Sequence, residues 1–474
     1  MNPALDDAGP VQAVRAALAG RPEPTWIVGG TVRDALLQRP IVDVDLAIDG
    51  DARAAAEAIR KSSGGPIFRL SDAFGSWRAI APDRSWTADI TPLQGDTIEK
   101  DLQNRDFAIN AIAVPLQGGE PIDPTGGLAD VEKRVLRVLP GAYERDALRP
   151  LRLGRLATQL DLVPEPETER ATRSAAARVT EAAPERVFGE LRQIVLADRV
   201  LDGLDLADDL GIVRAILPEL DELHGVEQSH FHHADVHGHT LEVLQELLGL
   251  ERDLEPVFGP ELAPRIQAVL DEPLADELTR GQALRFAALL HDIGKPATRG
   301  VRDDGRVTFM GHDAVGQDVI AGIMRRLRTS VALREFLGHI TREHLRLGFL
   351  VHQRPLSRAA VYRYLTATEP TSVETTLLTV ADRLATRGRN AEEAIAAHVE
   401  LARELMAEAL DFRACGKPKA PVRGDVLARA IGIQTGPELG ELLERLREAA
   451  FTGEATTPEE AVALARRLRD NSTR

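Results

Sequence analysis

The hydrophobic pattern of the chain changes its period near residue 140. Before this point, short apolar runs bounded by Gly, Pro and Asp predict β-strands. The runs are WIVGG, VDVDLAI, PIFRL, WRAIA, WTADI, AINAIAV and RVLRVL, and the helix-like segments TVRDALLQ and DARAAAEAIRKS lie among them. From about Tyr143 onward nearly every segment follows the helical period. The predicted fold class is therefore α+β: an N-terminal domain with a mixed sheet, followed by all-α regions.

Breaks in the helical pattern divide the rest of the chain. They fall at LVPEPE (162–167), at the histidine-rich HGVEQSHFHHADVHGHT (224–240) and at CGKPKAP (415–421). Polar, Pro-rich and Gly-rich stretches of this kind are typical of linkers. We predict four parts, with bounds 12–140, 141–222, 223–400 and 401–474.

Composition and charge narrow the class of protein. Cys415 is the single cysteine, which excludes an internal disulfide and favours a reducing compartment. The N-terminal MNPALDDAGP is acidic, unlike a signal peptide, and no apolar run reaches the ~18 residues of a membrane helix. We therefore expect a cytoplasmic protein without a membrane partner. The net charge of −16 argues against a general nucleic-acid coat, although a local basic face is compatible with it.

The segment IVDVDLAID places Asp43 and Asp45 one residue apart in a predicted strand. Positions i and i+2 of a strand share a face, so Val42, Val44 and Leu46 point to the other side. Two neighbouring carboxylates repel each other unless a cation lies between them, and hard oxygen ligands favour Mg²⁺. For this motif alone, the alternative is an edge strand whose polar face meets water.

The segment before the two aspartates is typical of a phosphate site. In WIVGGTVRDALL a strand leads through Gly29 and Gly30 into a helix that begins near Thr31. Glycines allow close approach of the backbone to a ligand, and a helix N-terminus offers free N–H groups. Arg33 adds a charged donor on the first turn. A phosphate site followed by paired carboxylates is what in-line nucleotidyl transfer requires.

These residues resemble a known family. GGTVRD followed by VDVDLAI is similar to the opening motif of the class II tRNA nucleotidyltransferases, which comprise CCA-adding enzymes and bacterial poly(A) polymerases. Further similar segments follow in the family's order over residues 24 to about 200: DLQNRDFAINAIAV (101–114), IDPTGGLADVEKRVLRV (122–138), YERDALRPLRLGRLA (143–157) and PERVFGELRQIV (184–195).

The resemblance implies roles for individual residues. Asp43 and Asp45 would be the catalytic Mg²⁺ ligands, with Gly29, Gly30 and Arg33 at the triphosphate. The other nucleotide contacts that it implies are Arg105 and Asp106 at the ribose, Asn110 in support of that turn, and Asp146 and Arg149 at the base edge. We expect Asp146 and Arg149 to share a helix face and to select CTP and ATP. Arg152 and Arg155 continue the same helix face, where we expect them to contact phosphates. The alternative for the last two arginines is a solvated stripe.

The chain departs from the family pattern at several positions. Asn104 replaces an arginine, Arg145 replaces a glutamate, and Pro150 is expected to kink the base-reading helix. The connection between Asp89 and Asp101 is short, as in relatives that add only two cytidines. Asp89 itself is a weaker candidate for a third carboxylate.

A second set of motifs resembles the HD phosphohydrolase signature. The segments are HGHTLEVL (237–244), RFAALLHDIGKPATR (285–299), FMGHDAVGQDV (309–319), HITREHLRLG (339–348) and LTVADRLATRG (378–388). The resemblance implies one metal held by His239, His291, Asp292 and Asp382, and a second metal held by His312 and His344. Lys295 would contact phosphate, and His339 competes with His344. His232, His233 and His237 have no assigned role. The metal would be a divalent transition metal of unknown identity.

The predicted function is addition of CMP and AMP from CTP and ATP to the 3′ end of tRNA, with Mg²⁺, and a second phosphohydrolase activity. The four parts would be a nucleotidyltransferase head, a helical neck or body that binds base and RNA, an HD domain and a C-terminal helical region. Alternatives are addition of CC only, a poly(A) polymerase, or an HD phosphohydrolase with a nucleotide-sensing head. The tRNA surface is expected on helices after residue 150, including MRRLRTS (324–330), unless those arginines are solvated.

Overall fold

The computed structural model describes residues 3–72, 74–228, 234–386 and 391–472. The chain forms two compact units, Met1–Ile216 and Leu217–Arg474. The first carries a large sheet and the second is mainly helical, which confirms the predicted fold class.

A six-stranded mixed sheet forms the centre of the first unit. Its strands are β1 (Thr25–Val28), β2 (Asp43–Ile48), β3 (Ile67–Ser71), β4 (Ser76–Ile80), β5 (Thr87–Pro92) and β6 (Ala113–Pro115), in the order β3-β4-β5-β2-β1-β6. Strands β2 and β5 pair in parallel and every other pair is antiparallel. The parallel pairing sets Asp89 of β5 opposite Asp45 of β2, which positions the site described below.

Helices cover one face of this sheet. The α-helices of the first unit are α1 (Pro3–Asp6), α2 (Gly9–Ala17), α3 (Gly29–Leu36), α4 (Ala52–Ser63), α5 (Ile98–Gln103), α6 (Gly127–Glu132), α7 (Ala142–Arg145), α8 (Arg149–Leu160), α9 (Pro166–Ala175), α10 (Pro184–Val195), α11 (Val200–Asp209) and α12 (Ile212–Ile216).

Helix α4 begins after the side-chain cap Asp51 and ends before Gly64, which has φ 81°. It packs on β4 and β5, while α2 packs on α4. Val44 and Leu46 are buried in β2.

Two predicted strands are shorter than expected. In AINAIAV, residues Ala108–Asn110 form a 3₁₀ helix and only β6 is extended. In RVLRVL only β7 (Val135–Leu136) is a strand, and it pairs in parallel with β8 (Val163–Pro164). Val42 lies just before β2 and is 52% exposed rather than packed with Val44.

The geometry predicted around Pro150 is wrong. Pro150 is in the first turn of α8, where it lacks only an amide that has no helical partner, so it begins the helix instead of kinking it. Asp146 is extended and lies between α7 and α8. Asp146 and Arg149 therefore do not share the face of one helix.

The second unit is built from helices and short hairpins. Its α-helices are α13 (Pro218–Asp221), α14 (Val236–Arg252), α15 (Glu255–Leu270), α16 (Arg280–Leu290), α17 (Lys295–Thr298), α18 (His312–Arg326), α19 (Val331–Glu343), α20 (Arg346–Leu350), α21 (Arg358–Thr368), α22 (Ser372–Ala385), α23 (Ala391–Cys415), α24 (Gly424–Ile431), α25 (Pro437–Thr452) and α26 (Pro458–Ser472). Two antiparallel hairpins, β9 (Pro273–Ala275) with β10 (Leu278–Thr279) and β11 (Arg299–Val301) with β12 (Val307–Phe309), interrupt them. The expectation that strands stop near Tyr143 is wrong at these places. Among the described residues, no helix is both long enough and apolar enough to cross a membrane.

We expect Ile59→Ala to lower the free energy of unfolding by about 2–5 kcal/mol, because it leaves a cavity between α4 and the sheet. Ile59 is 1% exposed, whereas Lys61 on the same helix is exposed. Urea unfolding of both alanine variants measures the difference. A loss for Ile59→Ala no larger than that for Lys61→Ala would contradict this packing.

Candidate functional site

Three carboxylates lie together on one face of the sheet. Asp43 and Asp45 are two residues apart on β2, and Asp89 on the parallel strand β5 is the direct register partner of Asp45. Asp43 Oδ1 accepts a hydrogen bond from the Thr87 hydroxyl at 2.6 Å. Burial raises the pKa of Asp45 to about 6, and the charge of Asp89 adds to this, although nearby arginines act in the opposite direction. The three carboxylates line a cavity of about 930 Å³.

The Gly29–Gly30 turn brings the start of α3 against Asp45. The Gly30 amide donates to Asp45 Oδ2 at 3.0 Å. Gly29 has φ 64°, and a Cβ there would lie 2.8 Å from Arg105 Nη1; a Cβ on Gly30 would lie 3.1 Å from Asp45 Oδ2. Only glycines allow this approach without displacing a charged group. The Thr31 hydroxyl accepts from the Asp45 amide at 2.7 Å and donates to the Asp43 carbonyl at 3.0 Å, which fixes α3 to β2.

A continuous polar network links α3 to the helices that follow the sheet. Arg33 Nη1 donates to Asn110 Oδ1 at 2.8 Å, and its other nitrogens pair with Asp34. Asn110 Nδ2 donates to Asp106 Oδ1 at 3.0 Å, and Arg152 Nη1 donates to Asp106 Oδ2 at 3.0 Å. Burial alone would raise the pKa of Asp106, but the charge of Arg152 and the bond from Asn110 hold it well below its usual range. Asp106 is therefore the ionised centre of this network.

Glu190 extends the network to Arg155. Its two carboxylate oxygens accept from Arg152 Nε and Arg155 Nε, and Arg155 Nη1 also donates to Gln159 at 3.1 Å. Both arginines line the cavity. Both arginines lie on α8, whereas Glu190 lies on α10. The two arginines are therefore held by a second helix and are not free in solvent.

Asp146 and Arg149 lie in the same cavity by a route different from the predicted helix face. Arg186 Nη2 donates to Asp146 Oδ2 at 2.7 Å, and the Leu148 amide donates to Asp146 Oδ1 at 3.1 Å. Burial would raise the pKa of Asp146, but the hydrogen bonds from Arg186 and Leu148 and the charges of Arg186 and Arg152 together lower it. Arg149 Nη1 donates to three backbone carbonyls, one of them that of Arg105 at 3.1 Å. Its Nε is buried with no hydrogen-bond partner.

The connection from β5 to α5 is short and fastened at both ends. The Gln94 amide donates to Asp101 Oδ1 at 2.9 Å, and Asn104 Nδ2 donates to the Gln94 carbonyl at 3.1 Å. Asp101 also accepts from Arg105 through Oδ2. Asn104, one of the departures from the family pattern, is thus used to hold this connection down.

In the second unit, histidine rings surround Asp292. His291 and His312 lie 3.2 and 3.3 Å from its oxygens through Nε2, and His344 lies 4.0 Å away. The Nδ1 atoms of these three rings face the backbone carbonyls of Ala288, Phe309 and Thr341. A carbonyl only accepts, so each Nδ1 carries a proton, and Nε2 is the ring atom left to bind a metal when the ring is neutral.

Two groups of metal-ligating side chains share Asp292. The first is His239, His291 and Asp292, and the second is Asp292, His312 and His344. His312 Nε2 and His344 Nε2 are 3.4 Å apart. Burial, with a contribution from His291, lowers the pKa of His344 to about 4, so its ring is neutral near pH 7. A cation between these two atoms would be bound by the Nε2 lone pairs of the neutral rings.

Two other predicted residues of this region, Asp382 and Lys295, contact side chains of these two groups. Asp382 Oδ1 lies 3.0 Å from His239 Nε2, and Lys295 Nζ lies 2.6 Å from Asp292 and 2.7 Å from Gln228. His339 belongs to neither group of described ligands. His237 stacks on His224 with ring centroids 3.7 Å apart. His232 and His233 lie outside the described residues.

Family models match three segments of the chain. The Poly A polymerase head domain matches residues 25–81 and 68–137. The probable RNA and SrmB-binding site of polymerase A matches residues 161–223, and the HD domain matches residues 236–387.

Curated relatives align over nearly the whole chain. The A-adding tRNA nucleotidyltransferase of Deinococcus radiodurans is 34% identical over 460 residues, which are 96% of this chain and 97% of the relative. The CC-adding tRNA nucleotidyltransferase of Thermus thermophilus is 33% identical, over 94% of this chain and 93% of the relative. The chain belongs to the tRNA nucleotidyltransferase family. The Multifunctional CCA protein of Stenotrophomonas maltophilia is 33% identical over 68% of this chain and 75% of its own length.

Solved structures of the family share this fold. The Thermotoga maritima CCA-adding enzyme in complex with tRNA aligns over 99% of this chain and 98% of its own, with a TM-score of 0.60 and 20% identity. A CCA-adding enzyme in complex with CTP aligns over 97% and 96%, with a TM-score of 0.63 and 21% identity. The resemblance inferred from the motifs is therefore confirmed.

The structure brings every predicted residue of the nucleotidyltransferase site to one cavity, and adds others. Arg78, Asp101 and Arg186 also line it, and Glu190 orders two of its arginines. Arg78 forms two hydrogen bonds of 2.6 Å with Asp89. The segment PERVFGELRQIV contains Arg186 and Glu190. The order of the family motifs therefore indicated this helix, but not the roles of these two residues.

We expect Asp106→Asn to lower the free energy of unfolding by about 1–3 kcal/mol at pH 7, because it removes one of the two carboxylates that pair with Arg152 and leaves only Glu190. The depressed pKa of Asp106 means that its charge stabilises the fold above about pH 4, and that this contribution is lost as the pH falls further. Urea unfolding at a series of pH values should show the two proteins converging below about pH 4.

Asp96→Asn is the matched control, since Asp96 is an exposed carboxylate of the same unit. We expect it to change the unfolding free energy by less than about 0.5 kcal/mol at every pH. Parallel pH curves for wild type and Asp106→Asn would contradict the proposed charge balance.

Proposed function

We propose that the chain adds CMP and AMP from CTP and ATP to the 3′ end of tRNA, building CCA. The observation that carries this proposal is the pair Asp43 and Asp45, held beside Asp89 in a cavity that arginines also line. The carboxylates suit the reacting hydroxyl and the arginines suit a triphosphate. The activities for which the relatives are named support the same substrates.

The donor set fits Mg²⁺. Asp43 and Asp45 offer only carboxylate oxygens. The pKa of Asp45 is raised by burial and further by the charge of Asp89, and a cation would stabilise its ionised form. We propose that these two residues hold the ion. When bound, Mg²⁺ would make the acceptor hydroxyl a better nucleophile and offset charge on the triphosphate.

We propose that Gly29, Gly30 and Arg33 contact the triphosphate and that Arg105 contacts the ribose. Both oxygens of Asp106 are engaged by other side chains, so we assign it a positioning role rather than a direct ribose contact. It holds Asn110 and Arg152, and Asn110 in turn holds Arg33. Arg152 and Arg155 then present remaining N–H groups to phosphates.

We propose that Asp146 and Arg149 read the base edge. Arg186 keeps the carboxylate of Asp146 ionised, so Asp146 can accept a hydrogen bond and cannot donate one. Cytosine and adenine carry an exocyclic amine that donates to such an acceptor, whereas guanine and uracil place a carbonyl there. Arg149 lines the same cavity, and we assign it a hydrogen bond to a ring nitrogen or carbonyl of the base.

We expect Asp43→Asn and Asp45→Asn each to reduce incorporation of labelled CTP into tRNA lacking its last three residues by on the order of a thousandfold. Asp49→Asn, an exposed carboxylate just beyond β2, should retain activity within about twofold of wild type. Normal incorporation by either site variant would refute the proposal.

Addition of CC only is the second candidate, and the β5–α5 connection favours it. This connection is short and is fastened by Asp101 and Asn104, whereas the family's switch to ATP is associated with a longer, flexible segment. The length of the product on the same tRNA decides. Three nucleotides with CTP and ATP together support CCA addition, while two nucleotides with or without ATP support CC addition. A long adenosine tail would instead indicate a poly(A) polymerase.

We also propose a second activity, metal-dependent hydrolysis of phosphate esters, in the second unit. His239, His291, Asp292 and Asp382 would hold one divalent transition metal, and His312 and His344 would hold another with Asp292 shared. Their mixed nitrogen and oxygen donors suit such metals. A metal-bound hydroxide at neutral pH is a nucleophile for phosphate esters, and Lys295 would contact the phosphate.

We expect Asp292→Asn to lose bound metal and to lose hydrolysis of bis-p-nitrophenyl phosphate in the presence of Mn²⁺, Co²⁺ or Ni²⁺, because both metal groups use this carboxylate. Metal content by plasma mass spectrometry and release of nitrophenol measure the two effects. Asp318→Asn, an exposed carboxylate on α18, is the control. Equal metal content in the two variants would contradict the assignment.

The proposed division of labour follows four parts: a head over 12–140, a neck over 141–222, an HD domain over 223–400 and a C-terminal helical region over 401–474. The three matched family models lie within or close to the first three parts. We propose a cytoplasmic location, where a single exposed cysteine such as Cys415 stays reduced.

A further inference from the structure

The sheet face that carries the carboxylates continues to an apolar edge. Asp45 pairs with Asp89, Asp89 pairs with Arg78, and Arg78 pairs with Phe68 across four neighbouring strands. Directly opposed residues share a face. Phe68, on the edge strand β3, therefore lies on the carboxylate face, about 14 Å from Asp45 at the usual strand spacing.

Exposed apolar side chains line the cavity beside this edge. Leu70 and Phe74 are 42% and 58% exposed, and both line the cavity that holds Asp43 and Asp45. Leu70 is near the end of β3 and Phe74 follows that strand, and we call these two residues the apolar rim. Val42, which is 52% exposed, also lines the cavity but lies at the opposite end of the sheet, where its carbonyl accepts from the Thr87 amide. In the described part of the first unit, the other exposed large apolar side chains are Phe68 and Val163. Exposed apolar side chains gathered at a charged cavity indicate a ligand with an apolar surface.

We propose that the apolar rim binds the unpaired 3′-terminal nucleobase of the acceptor RNA, which stacks on Phe74. This inference rests on the proposed function, since it assigns the second substrate of the same site. A cavity of about 930 Å³ is at the upper end of the size that holds one small ligand. It has room for a nucleoside triphosphate among the arginines and for the end of an RNA strand at the rim.

The course of the reaction supports stacking as the mode of recognition. Each addition places a new nucleotide at the 3′ end, so the site for the terminal base receives different bases in turn. Hydrogen bonds to base edges would favour one base, whereas an aromatic ring stacks on all of them. The rim offers a ring and one aliphatic side chain, which suit the face of a base and leave its edge unread.

The test is the Phe74→Ala variant, with Phe349→Ala as its matched control. Phe349 is 68% exposed in the second unit and is not among the residues that line the cavity, so its removal deletes an equally accessible ring that does not belong to the proposed site. We expect Phe74→Ala to raise the KM for tRNA about tenfold and to leave the KM for CTP within about twofold of wild type. Phe74→Tyr should restore the wild-type KM, while Phe74→Leu should not, because it keeps the apolar surface and loses the ring.

An acceptor RNA whose 3′-terminal nucleotide is abasic isolates the contact. Wild type should show about a tenfold higher KM for this RNA than for the intact one, and Phe74→Ala should not distinguish the two. An unchanged KM for tRNA in Phe74→Ala, or an equal response of variant and wild type to the abasic RNA, would overturn the inference while leaving the proposed function intact. Absence of CTP incorporation by wild type would overturn the proposed function itself.

Discussion

Repulsion between neighbouring carboxylates is the constraint that organises the first unit. Asp43 and Asp45 share a strand face, and the parallel pairing of β2 with β5 adds Asp89 beside them. The surroundings hold this arrangement in place: Thr87 bonds Asp43, Gly30 bonds Asp45, and Arg78 pairs with Asp89. Burial raises the pKa of Asp45 and the charge of Asp89 adds to this, and a cation would relieve the crowding of negative charge. The glycine turn and the polarity of the cavity follow from this arrangement.

The arginines of the cavity depend on buried acids for their positions. Asp106 and Glu190 hold Arg152, and Asp106 also orders Arg33 through Asn110. Long cationic side chains lose much conformational entropy when a ligand orders them, so fixing them in advance lowers the cost of binding a triphosphate. The second unit uses a related device, because three histidines donate from Nδ1 to backbone carbonyls and thereby direct Nε2 toward Asp292.

Local periodicity made much of this site predictable. The two-residue period of a strand places Asp43 beside Asp45 whatever the fold, and ordered motifs indicated the metal-ligating histidines. Contacts between distant segments were less accessible: Arg186 was missed because its partner Asp146 lies 40 residues away. The register that sets Asp89 opposite Asp45 depends on strand order, which no local pattern specifies. Pro150 was misjudged because a proline inside a helix and a proline at its first turn look alike in sequence. Hairpins of two or three residues per strand, as at 273–279, are too short to show a period.

The central claim is that the paired aspartates of β2 hold a divalent cation together with the incoming nucleotide. Electron paramagnetic resonance of Mn²⁺, titrated into the protein with and without CTP, tests it most directly, because the ion is observed rather than the product. The account predicts that CTP increases the number of bound Mn²⁺ ions by one in the wild-type protein and by none in Asp45→Asn. The number of ions bound without CTP should be the same in both proteins. An equal CTP-dependent increase in the two proteins would contradict it.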